Sequence, residues 1–281
     1  MKRIRLLALD LDDTLLRHDL SISFYTRNLL KKAEAEGVTV VLASGRDPSA
    51  MDRYARELNL HKRRGFMVCH NGAMIQESDT GKLVYESRLP VDIALAVYDL
   101  VDAEGMPVQL YEDSTIYVSR RNEFADQDEK MTGLRQVVVE NFRSMIEAGQ
   151  LKFVIPGDPM LLRPLETLLK NIVGDKVTIF TSKPYFLEVL APATGKGEAL
   201  AIVAEKLGIK SHEVMAVGDS MNDESMIRWA GWGVAMKNGD ERIKAIASFV
   251  SHRTNEDDGV ADLVERYVLG SESLPVARMG R

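Results

Sequence analysis

The stretch that decides the fold is Leu6-Leu-Ala-Leu-Asp10-Leu-Asp12-Asp13-Thr14-Leu15, an apolar run that ends in three carboxylates. The apolar part, Ile4 to Leu9, has the length and composition of a short buried strand. In an open parallel sheet, ligands bind at the carboxyl ends of the strands. The three aspartates therefore stand where a ligand site is expected, although a solvated turn or a helix cap is the alternative, because aspartate is common in both.

The flanking sequence alternates between strand-like and helix-like patterns. Strand patterns near residues 4–9, 38–42 and 66–69 are separated by helical patterns near 22–36 and 49–58. This βαβαβ order predicts a parallel sheet. The last third of the chain repeats the pattern around Val214–Val217 and Gly233–Met236, and we expect these strands to continue the same sheet.

Between about residues 86 and 185 the pattern changes to a mixture of short strands and two helices, near Val91–Glu104 and Pro159–Asn171. Turn signals at Ser87–Pro90 and Ser182–Pro184 mark the two ends of this region. We therefore predict an α/β protein. Its Rossmann-like parallel-sheet core comprises residues 1–85 and 186–281, and residues 86–185 form an inserted α+β domain.

A second run of carboxylates follows the strand Val214–Val217, in Gly218-Asp219-Ser220-Met221-Asn222-Asp223. Helix capping alone does not explain two strand ends that are both rich in carboxylates. Such a cluster would repel itself unless a cation neutralised it, and a few hard oxygen ligands suit Mg²⁺. The two segments together predict a metal site.

Two other segments carry groups that can bind an anion. Ser44-Gly45-Arg46 offers a hydroxyl and backbone N–H donors after a strand, and Thr194-Gly195-Lys196-Gly197 places a lysine at a glycine-rich helix start. Taken singly, Ser44 would be interpreted as an ordinary turn residue and Lys196 as an ordinary surface lysine. Combined with a carboxylate-bound metal, however, these groups make a site of the size and charge that suit phosphate.

Composition excludes several classes of partner. The 281 residues carry a formal net charge of -6, and no run of basic residues offers a surface for nucleic acid or an anionic membrane. No apolar run is long enough to cross a bilayer. The single cysteine, Cys69, lies in an apolar stretch where burial is expected, and its isolation fits a reducing cytoplasm.

The four motif segments, in this order, resemble those of the haloacid dehalogenase superfamily, and specifically its Cof-type branch of sugar phosphatases. Asp10-Leu-Asp12-Asp13-Thr14-Leu15-Leu16 is similar to the first family motif, Ala43-Ser44-Gly45-Arg46 to the second, Lys196 to the third and Gly218–Asp223 to the fourth. The segments Asn71-Gly72-Ala73, Lys183–Val189 and Asn255–Ala261 also resemble this branch. The resemblance implies a Rossmann-like core with an inserted cap domain that provides substrate specificity.

The resemblance also implies catalytic roles. Asp10 would be the nucleophile and a metal ligand, and Asp12 the general acid and base whose backbone carbonyl binds Mg²⁺. Asp219 would complete the protein ligands of the metal. Asp223 would act in the outer shell, through water or by orienting Lys196.

Phosphate would be held, by the same resemblance, through Ser44, the backbone of Leu11 and Gly45, Lys196 and Asn222. Arg46 would contact phosphate or brace its loop, and bracing is favoured because the site already has a cation. Asp13 departs from the family pattern, because most members have glycine at this position.

The resemblance therefore implies a Mg²⁺-dependent phosphatase, a phosphoric monoester hydrolase acting on a small phosphorylated metabolite. Sugar phosphates are the leading class, ahead of pyridoxal phosphate and nucleotide monophosphates, and the single cysteine favours a cytoplasmic location. A phosphomutase or phosphotransferase, in which a hydroxyl replaces water as the acceptor, is the enzymatic alternative. A phospho-metabolite sensor without turnover is the alternative from another class, but binding alone would not require the pair Asp10 and Asp12.

Overall fold

The structure, a computed structural model, describes residues 4–62, 65–112 and 114–270. Its fourteen strands are β1 (Leu6–Leu9), β2 (Thr39–Ala43), β3 (Phe66–Cys69), β4 (Met74–Glu77), β5 (Leu83–Glu86), β6 (Gln109–Glu112), β7 (Thr115–Val118), β8 (Arg135–Val138), β9 (Lys152–Pro156), β10 (Thr178–Lys183), β11 (Phe186–Leu190), β12 (Val214–Gly218), β13 (Trp232–Ala235) and β14 (Phe249–Val250) within these described ranges.

The α-helices of the described ranges are α1 (Phe24–Ala35), α2 (Pro48–Glu57), α3 (Val91–Ala103), α4 (Glu123–Thr132), α5 (Phe142–Glu147), α6 (Pro159–Val173), α7 (Lys196–Leu207), α8 (Glu224–Trp229), α9 (Glu241–Ile246) and α10 (Gly259–Leu263). None of them is both long and apolar enough to span a membrane.

The chain forms two units: one combines the residues up to Val84 with those from Gly195 onward, and the other is Tyr85–Thr194. The first unit contains an eight-stranded sheet of order β14-β13-β12-β1-β2-β3-β4-β5. Strands β14 to β3 pair in parallel, and β4 pairs antiparallel with β3. The predicted parallel-sheet core is therefore confirmed, with an antiparallel addition at one edge.

Strand β1 lies at the centre of this sheet, between β12 and β2. Leu9 is in register with Val217 on one side and with Leu42 on the other. The strand order reverses at β1, and in open α/β sheets this switch point is where a ligand-binding crevice forms. The residues that follow β1, β2 and β12 thus share one edge of the sheet.

The inserted unit contains a six-stranded sheet of order β10-β11-β9-β6-β7-β8, in which the pairs are antiparallel except for β7 with β8. Its buried apolar side chains form their own cluster, which includes Val97, Phe142, Phe153 and Leu187. The unit is thus a separate α+β fold with its own core, as expected for an insert of this composition.

The end of the inserted unit differs from the predicted boundary between residues 185 and 186. Strand β11, Phe186–Leu190, pairs antiparallel with both β9 and β10, so it belongs to the inserted sheet and not to the core. The turn signal at Ser182–Pro184 marks the hairpin between β10 and β11 instead of a domain boundary. The inserted unit accordingly extends to Thr194.

Candidate active site

The loop after β1 presents the first two carboxylates. The backbone N–H of Asp10 donates to the carbonyl of Val217 at 3.0 Å, so the strand pairing continues to this residue. The chain then turns through Leu11–Leu15, where Asp12 and Asp13 depart from helical backbone angles. Asp13 has φ 61°, in the left-handed region that glycine adopts most readily and aspartate tolerates. Asp13 therefore adopts a backbone conformation that would also suit glycine, the residue that most family members have at this position.

Lys196 is the first residue of α7, and its side chain is fully buried. Its Nζ donates to Oδ1 of Asp10 and to Oδ1 of Asp223, each at 2.6 Å. Burial acts to lower the pKa of Lys196, but the two carboxylates outweigh it and raise the pKa above its usual value. The buried lysine is therefore a charged ammonium between two carboxylates, the pairing that a buried charge requires.

Three buried carboxylates converge beside this ammonium. Asp10, Asp219 and Asp223 each offer an oxygen, and these atoms lie within 4.8 Å of one another. Burial, followed by repulsion from Asp223, raises the pKa of Asp10 to about 7, although Lys196 acts in the opposite direction. The cluster thus carries more negative charge than one lysine neutralises, which is the condition under which a buried cation binds.

The three carboxylates differ in the hydrogen bonds that they accept from groups of the protein. Asp223 uses Oδ1 for Lys196 and Oδ2 for the backbone N–H groups of Asp219 and Ser220, at 2.9 and 3.1 Å. A β-carbon at Gly218 would lie 2.4 Å from Cγ of Asp223, so only glycine leaves room for this carboxylate. Asp223 therefore holds the lysine and the loop after β12 through both of its carboxylate oxygens, and its role outside the direct metal ligands stays a prediction.

Asp10 and Asp219 are the better candidates for metal ligands. Oδ1 of Asp219 accepts a hydrogen bond from the Thr14 hydroxyl at 3.2 Å, which fixes the carboxylate against the loop that follows Asp10. Carboxylate oxygens in this number suit Mg²⁺, which retains several waters. The residues present thus fit the metal that the sequence implied.

Arg46 binds Asp12 in a bidentate ion pair. Its Nε donates to Oδ2 at 2.9 Å and its Nη2 to Oδ1 at 2.6 Å, and the arginine side chain is 8% exposed. Burial acts to lower the pKa of Arg46, but Asp12 outweighs this effect and raises it. In this arrangement the guanidinium braces Asp12.

The candidate phosphate-binding residues form a second set of contacts. Oγ of Ser44 accepts from the backbone N–H of Arg46 at 3.2 Å, and the Ser44 carbonyl accepts from the N–H of Asn71 at 2.9 Å. Asn71 in turn accepts a hydrogen bond from the side chain of Asn222 at 3.0 Å. The structure therefore connects the predicted residues Ser44 and Asn222 through a residue to which the sequence assigned no role. Leu11, in the loop after β1, and Gly45, in the loop after the neighbouring strand β2, are the two predicted backbone donors.

Sequence reasoning also missed the side chains that hold the loop after β1. Nδ2 of Asn238 donates to the Asp13 carbonyl at 2.7 Å, and Nδ2 of Asn255 donates to the Leu16 carbonyl at 2.9 Å. The only signal in the sequence was the family-like segment Asn255–Ala261. Asn238 carries no signal, because its contact depends on residues more than two hundred positions away.

Comparison with known proteins agrees with this architecture. The family model described as haloacid dehalogenase-like hydrolase matches residues 7–264. The protein YxeH of Bacillus subtilis is 34% identical over 271 residues, covering 94% of this chain and 98% of its own. The 5-amino-6-(5-phospho-D-ribitylamino)uracil phosphatase YcsE of Bacillus subtilis is 34% identical over 266 residues, covering 95% and 96%. A haloacid dehalogenase-like hydrolase structure from Bacteroides thetaiotaomicron superposes with a TM-score of 0.84 at 31% identity, covering 94% and 99%.

Proposed function

This chain belongs to the haloacid dehalogenase-like hydrolase family, and we propose that it is a Mg²⁺-dependent phosphatase that transfers a phosphoryl group from a small metabolite to Asp10 and then to water. The observation that carries the proposal is the buried arrangement of Asp10, Lys196 and Asp223, with Asp219 in the same cluster. A phosphoryl-transfer site needs a nucleophile surrounded by fixed positive charge, and this arrangement contains the nucleophile, one cation and the ligands for a second.

The side chains of Asp10 and Asp219 and the backbone carbonyl of Asp12 would hold Mg²⁺. When bound, the ion supplies positive charge that lets a carboxylate approach an anionic phosphoryl group and that offsets charge in the transition state. The convergence of three buried carboxylates on a single lysine supports this assignment, and burial, followed by repulsion from Asp223, raises the pKa of Asp10.

In the first step, a carboxylate oxygen of Asp10 forms a bond to phosphorus while the bond from phosphorus to the substrate oxygen breaks. Asp12 donates a proton to the departing alkoxide. In the second step, Asp12 takes a proton from water as the water oxygen attacks phosphorus, which releases phosphate and regenerates Asp10. Lys196 stays charged throughout and holds Asp10 in place.

Arg46 acts in this mechanism as a positioning residue. Both carboxylate oxygens of Asp12 accept hydrogen bonds from the guanidinium, which is the bonding pattern of an ionised carboxylate. That state suits the second step, in which Asp12 is a base. For the first step Asp12 must carry a proton, so the bidentate contact has to loosen before the alkoxide leaves.

The phosphate oxygens would be bound by the Ser44 hydroxyl, the backbone N–H groups of Leu11 and Gly45, the Asn222 amide and the Lys196 ammonium. The hydrogen bonds that join the Ser44 backbone carbonyl to Asn71 and the Asn71 side chain to Asn222 support this set, because they hold the loop that carries Ser44 and the side chain of Asn222 in one connected group.

We place the substrate among small phosphorylated metabolites, with sugar phosphates first. YcsE, 34% identical to this chain, is named for a substrate whose phosphate is carried by a ribityl chain, a sugar alcohol, and this supports the class. The inserted unit, Tyr85–Thr194, would be the cap that selects the organic part of the substrate.

The buried single cysteine, Cys69, is consistent with a cytoplasmic location.

Two measurements test the proposal. A screen of phosphorylated metabolites with Mg²⁺ should reveal turnover, with sugar phosphates among the best substrates, and chelation should abolish it. The variant Asp10→Asn should keep the fold and lose turnover, because an amide cannot form the phosphoryl intermediate. Undiminished turnover after exhaustive chelation, or near-normal rates in Asp10→Asn after deamidation has been ruled out, would contradict the proposal.

A further inference from the structure

Three consecutive residues after β3 adopt positive φ angles, namely His70 at 49°, Asn71 at 53° and Gly72 at 98°. Residues other than glycine rarely adopt such angles, and they keep them only where the surrounding structure holds them in place. Such residues concentrate at functional sites. A functional role is therefore expected for this turn, and none of the steps of phosphoryl transfer uses it directly.

The backbone of this turn holds the loop that follows β2. The N–H of His70 donates to the Arg46 carbonyl at 3.0 Å, and the N–H of Asn71 donates to the Ser44 carbonyl at 2.9 Å. A β-carbon on Gly45 would lie 2.9 Å from Nδ2 of Asn71, so the Asn71 amide lies directly against this loop. The turn thus fixes the loop that carries Ser44 and Gly45.

The side chain of Asn71 reaches the loop that follows β12. Its Oδ1 accepts a hydrogen bond from Nδ2 of Asn222 at 3.0 Å, and Oδ1 of Asn222 accepts from the Ser220 hydroxyl at 2.6 Å. The amide of Asn222 is therefore held at both ends. An amide nitrogen carries two N–H groups, and one of them is used for Asn71. The contacts with Asn71 and Ser220 therefore fix the direction in which the second N–H of Asn222 points.

We infer that Asn71 is a positioning residue for phosphate binding: together with Ser220 it orients the Asn222 amide so that its second N–H meets a phosphate oxygen. The left-handed backbone at position 71 is what allows one residue to hold the Ser44 loop through its N–H and Asn222 through its side chain. The inference rests on the proposed function, because it takes Asn222 as a phosphate ligand.

The variant Asn71→Gly tests this role, because glycine adopts the left-handed backbone and removes only the side chain. We expect binding of inorganic phosphate in the presence of Mg²⁺, measured by calorimetry, to weaken by about 2- to 10-fold, the range for one lost hydrogen bond. Asn59→Gly is the matched control, because Asn59 also has a positive φ, 63°, and lies after α2 in a turn where its backbone hydrogen-bonds to Arg56 and Lys62. Phosphate binding by this control should equal that of the wild type.

A double-mutant cycle separates positioning from a merely structural role. If Asn71 acts through Asn222, then Asn71→Gly should weaken phosphate binding in the wild type but add little in an Asn222→Ala background. Additive losses, or an Asn71→Gly variant that binds phosphate as the Asn59→Gly control does, would overturn the inference. Should Asn71→Gly fail to fold, the same cycle with Ser220→Ala decides: non-additive losses support the orientation of Asn222, and additive losses refute it.

Failure of the inference can be told apart from failure of the proposed function. If the wild type hydrolyses no phosphomonoester, the proposed function is wrong, while the calorimetric comparison still shows whether Asn71 orients a phosphate ligand. If the wild type is active and the cycle is additive, only the inference is wrong.

Discussion

Asp13 departs from the family pattern at a position whose backbone conformation glycine also adopts readily. Its φ of 61° and the hydrogen bond that its carbonyl accepts from Asn238 depend on the main chain and not on the side chain. The difference from the usual glycine is therefore confined to a partly exposed carboxylate at the surface of the loop. The sequence identified the departure, but only the backbone angle explains why aspartate is acceptable there.

A pair of substitutions at this residue tests that explanation. Asp13→Gly should retain wild-type stability or exceed it, whereas Asp13→Ala should lower the free energy of unfolding by about 1 kcal/mol relative to Asp13→Gly, since alanine tolerates the left-handed region poorly. Chemical denaturation of the two variants measures the difference. Equal stabilities would mean that the loop does not hold this backbone conformation in solution.

The raised pKa of Asp10 makes metal binding depend on pH. The pKa of Asp10 in the folded protein, about 7, exceeds its ordinary value of 3.8, so the folded state favours the protonated acid. The metal-free protein should therefore lose stability as the pH rises from 3.8 to about 7. Under the proposed function Mg²⁺ would compete with that proton, so its stabilising effect should be larger at pH 8 than at pH 6. Thermal unfolding with and without Mg²⁺ at the two pH values, with Asp10→Asn as the control, measures this. A shift that is the same at both pH values would contradict the prediction.

At the scale of elements, strands and helices with a strong apolar pattern were predictable and those without one were not. The buried strands β1, β3 and β12 were all predicted from apolar runs. Helix α4 was missed because its sequence, EFADQDEKMT, has little apolar periodicity and buries only Ala125 and Asp128. The short strand β8, which follows α4 in the chain, was not predicted either.

The candidate site shows the same division. Residues in local motifs, such as Asp10 and Lys196, could be identified from sequence because their chemical type and position after a strand or at a helix start are visible there. Thr14 and Asn71 also stand in family-like segments, but their roles could not be identified, because these arise from contacts with Asp219 and Asn222, about two hundred and one hundred and fifty positions away along the chain. A single sequence does not record such contacts.

Strands β9 and β11 of the inserted unit carry a buried ion pair that links the two elements. Nζ of Lys152 lies 2.9 Å from Oε2 of Glu188, and both side chains are almost fully buried. Lys152 is also 4.9 Å from the centroid of the Tyr111 ring. Since both side chains are almost fully buried, loss of one partner alone would leave the other charge buried without its counter-charge, which is costly.

Removal of one partner should therefore cost more than removal of both. Lys152→Met leaves Glu188 without its lysine and should destabilise the inserted unit by about 3–5 kcal/mol, whereas the double variant Lys152→Met with Glu188→Leu should recover most of that loss. Urea denaturation followed by circular dichroism compares the three proteins. If the double variant were no more stable than Lys152→Met, the buried pair would not be the source of the loss.

At the scale of the whole molecule, the candidate site is assembled from both ends of the chain. The segments after β1 and β2, the start of α7 and the segment after β12 all belong to the unit that precedes Tyr85 and resumes at Gly195. The insert separates the second and third motifs in sequence without contributing to the four motif segments. Under the proposed function, this arrangement would allow the residues of phosphoryl transfer to be kept while the inserted unit varied with the substrate.

The central claim, that Asp10 carries the phosphoryl group while Asp12 transfers protons, is tested most directly by rapid-mix kinetics of Asp12→Asn with p-nitrophenyl phosphate. Nitrophenolate leaves without protonation, so the first step should proceed, while hydrolysis of the aspartyl-phosphate lacks its base and should slow by about 10²- to 10⁴-fold. We expect one burst of nitrophenol per site, followed by a stall, with the phosphoryl group located on Asp10 by mass spectrometry of the quenched protein. Steady turnover at the wild-type rate, or a phosphoryl group on another residue, would contradict the account.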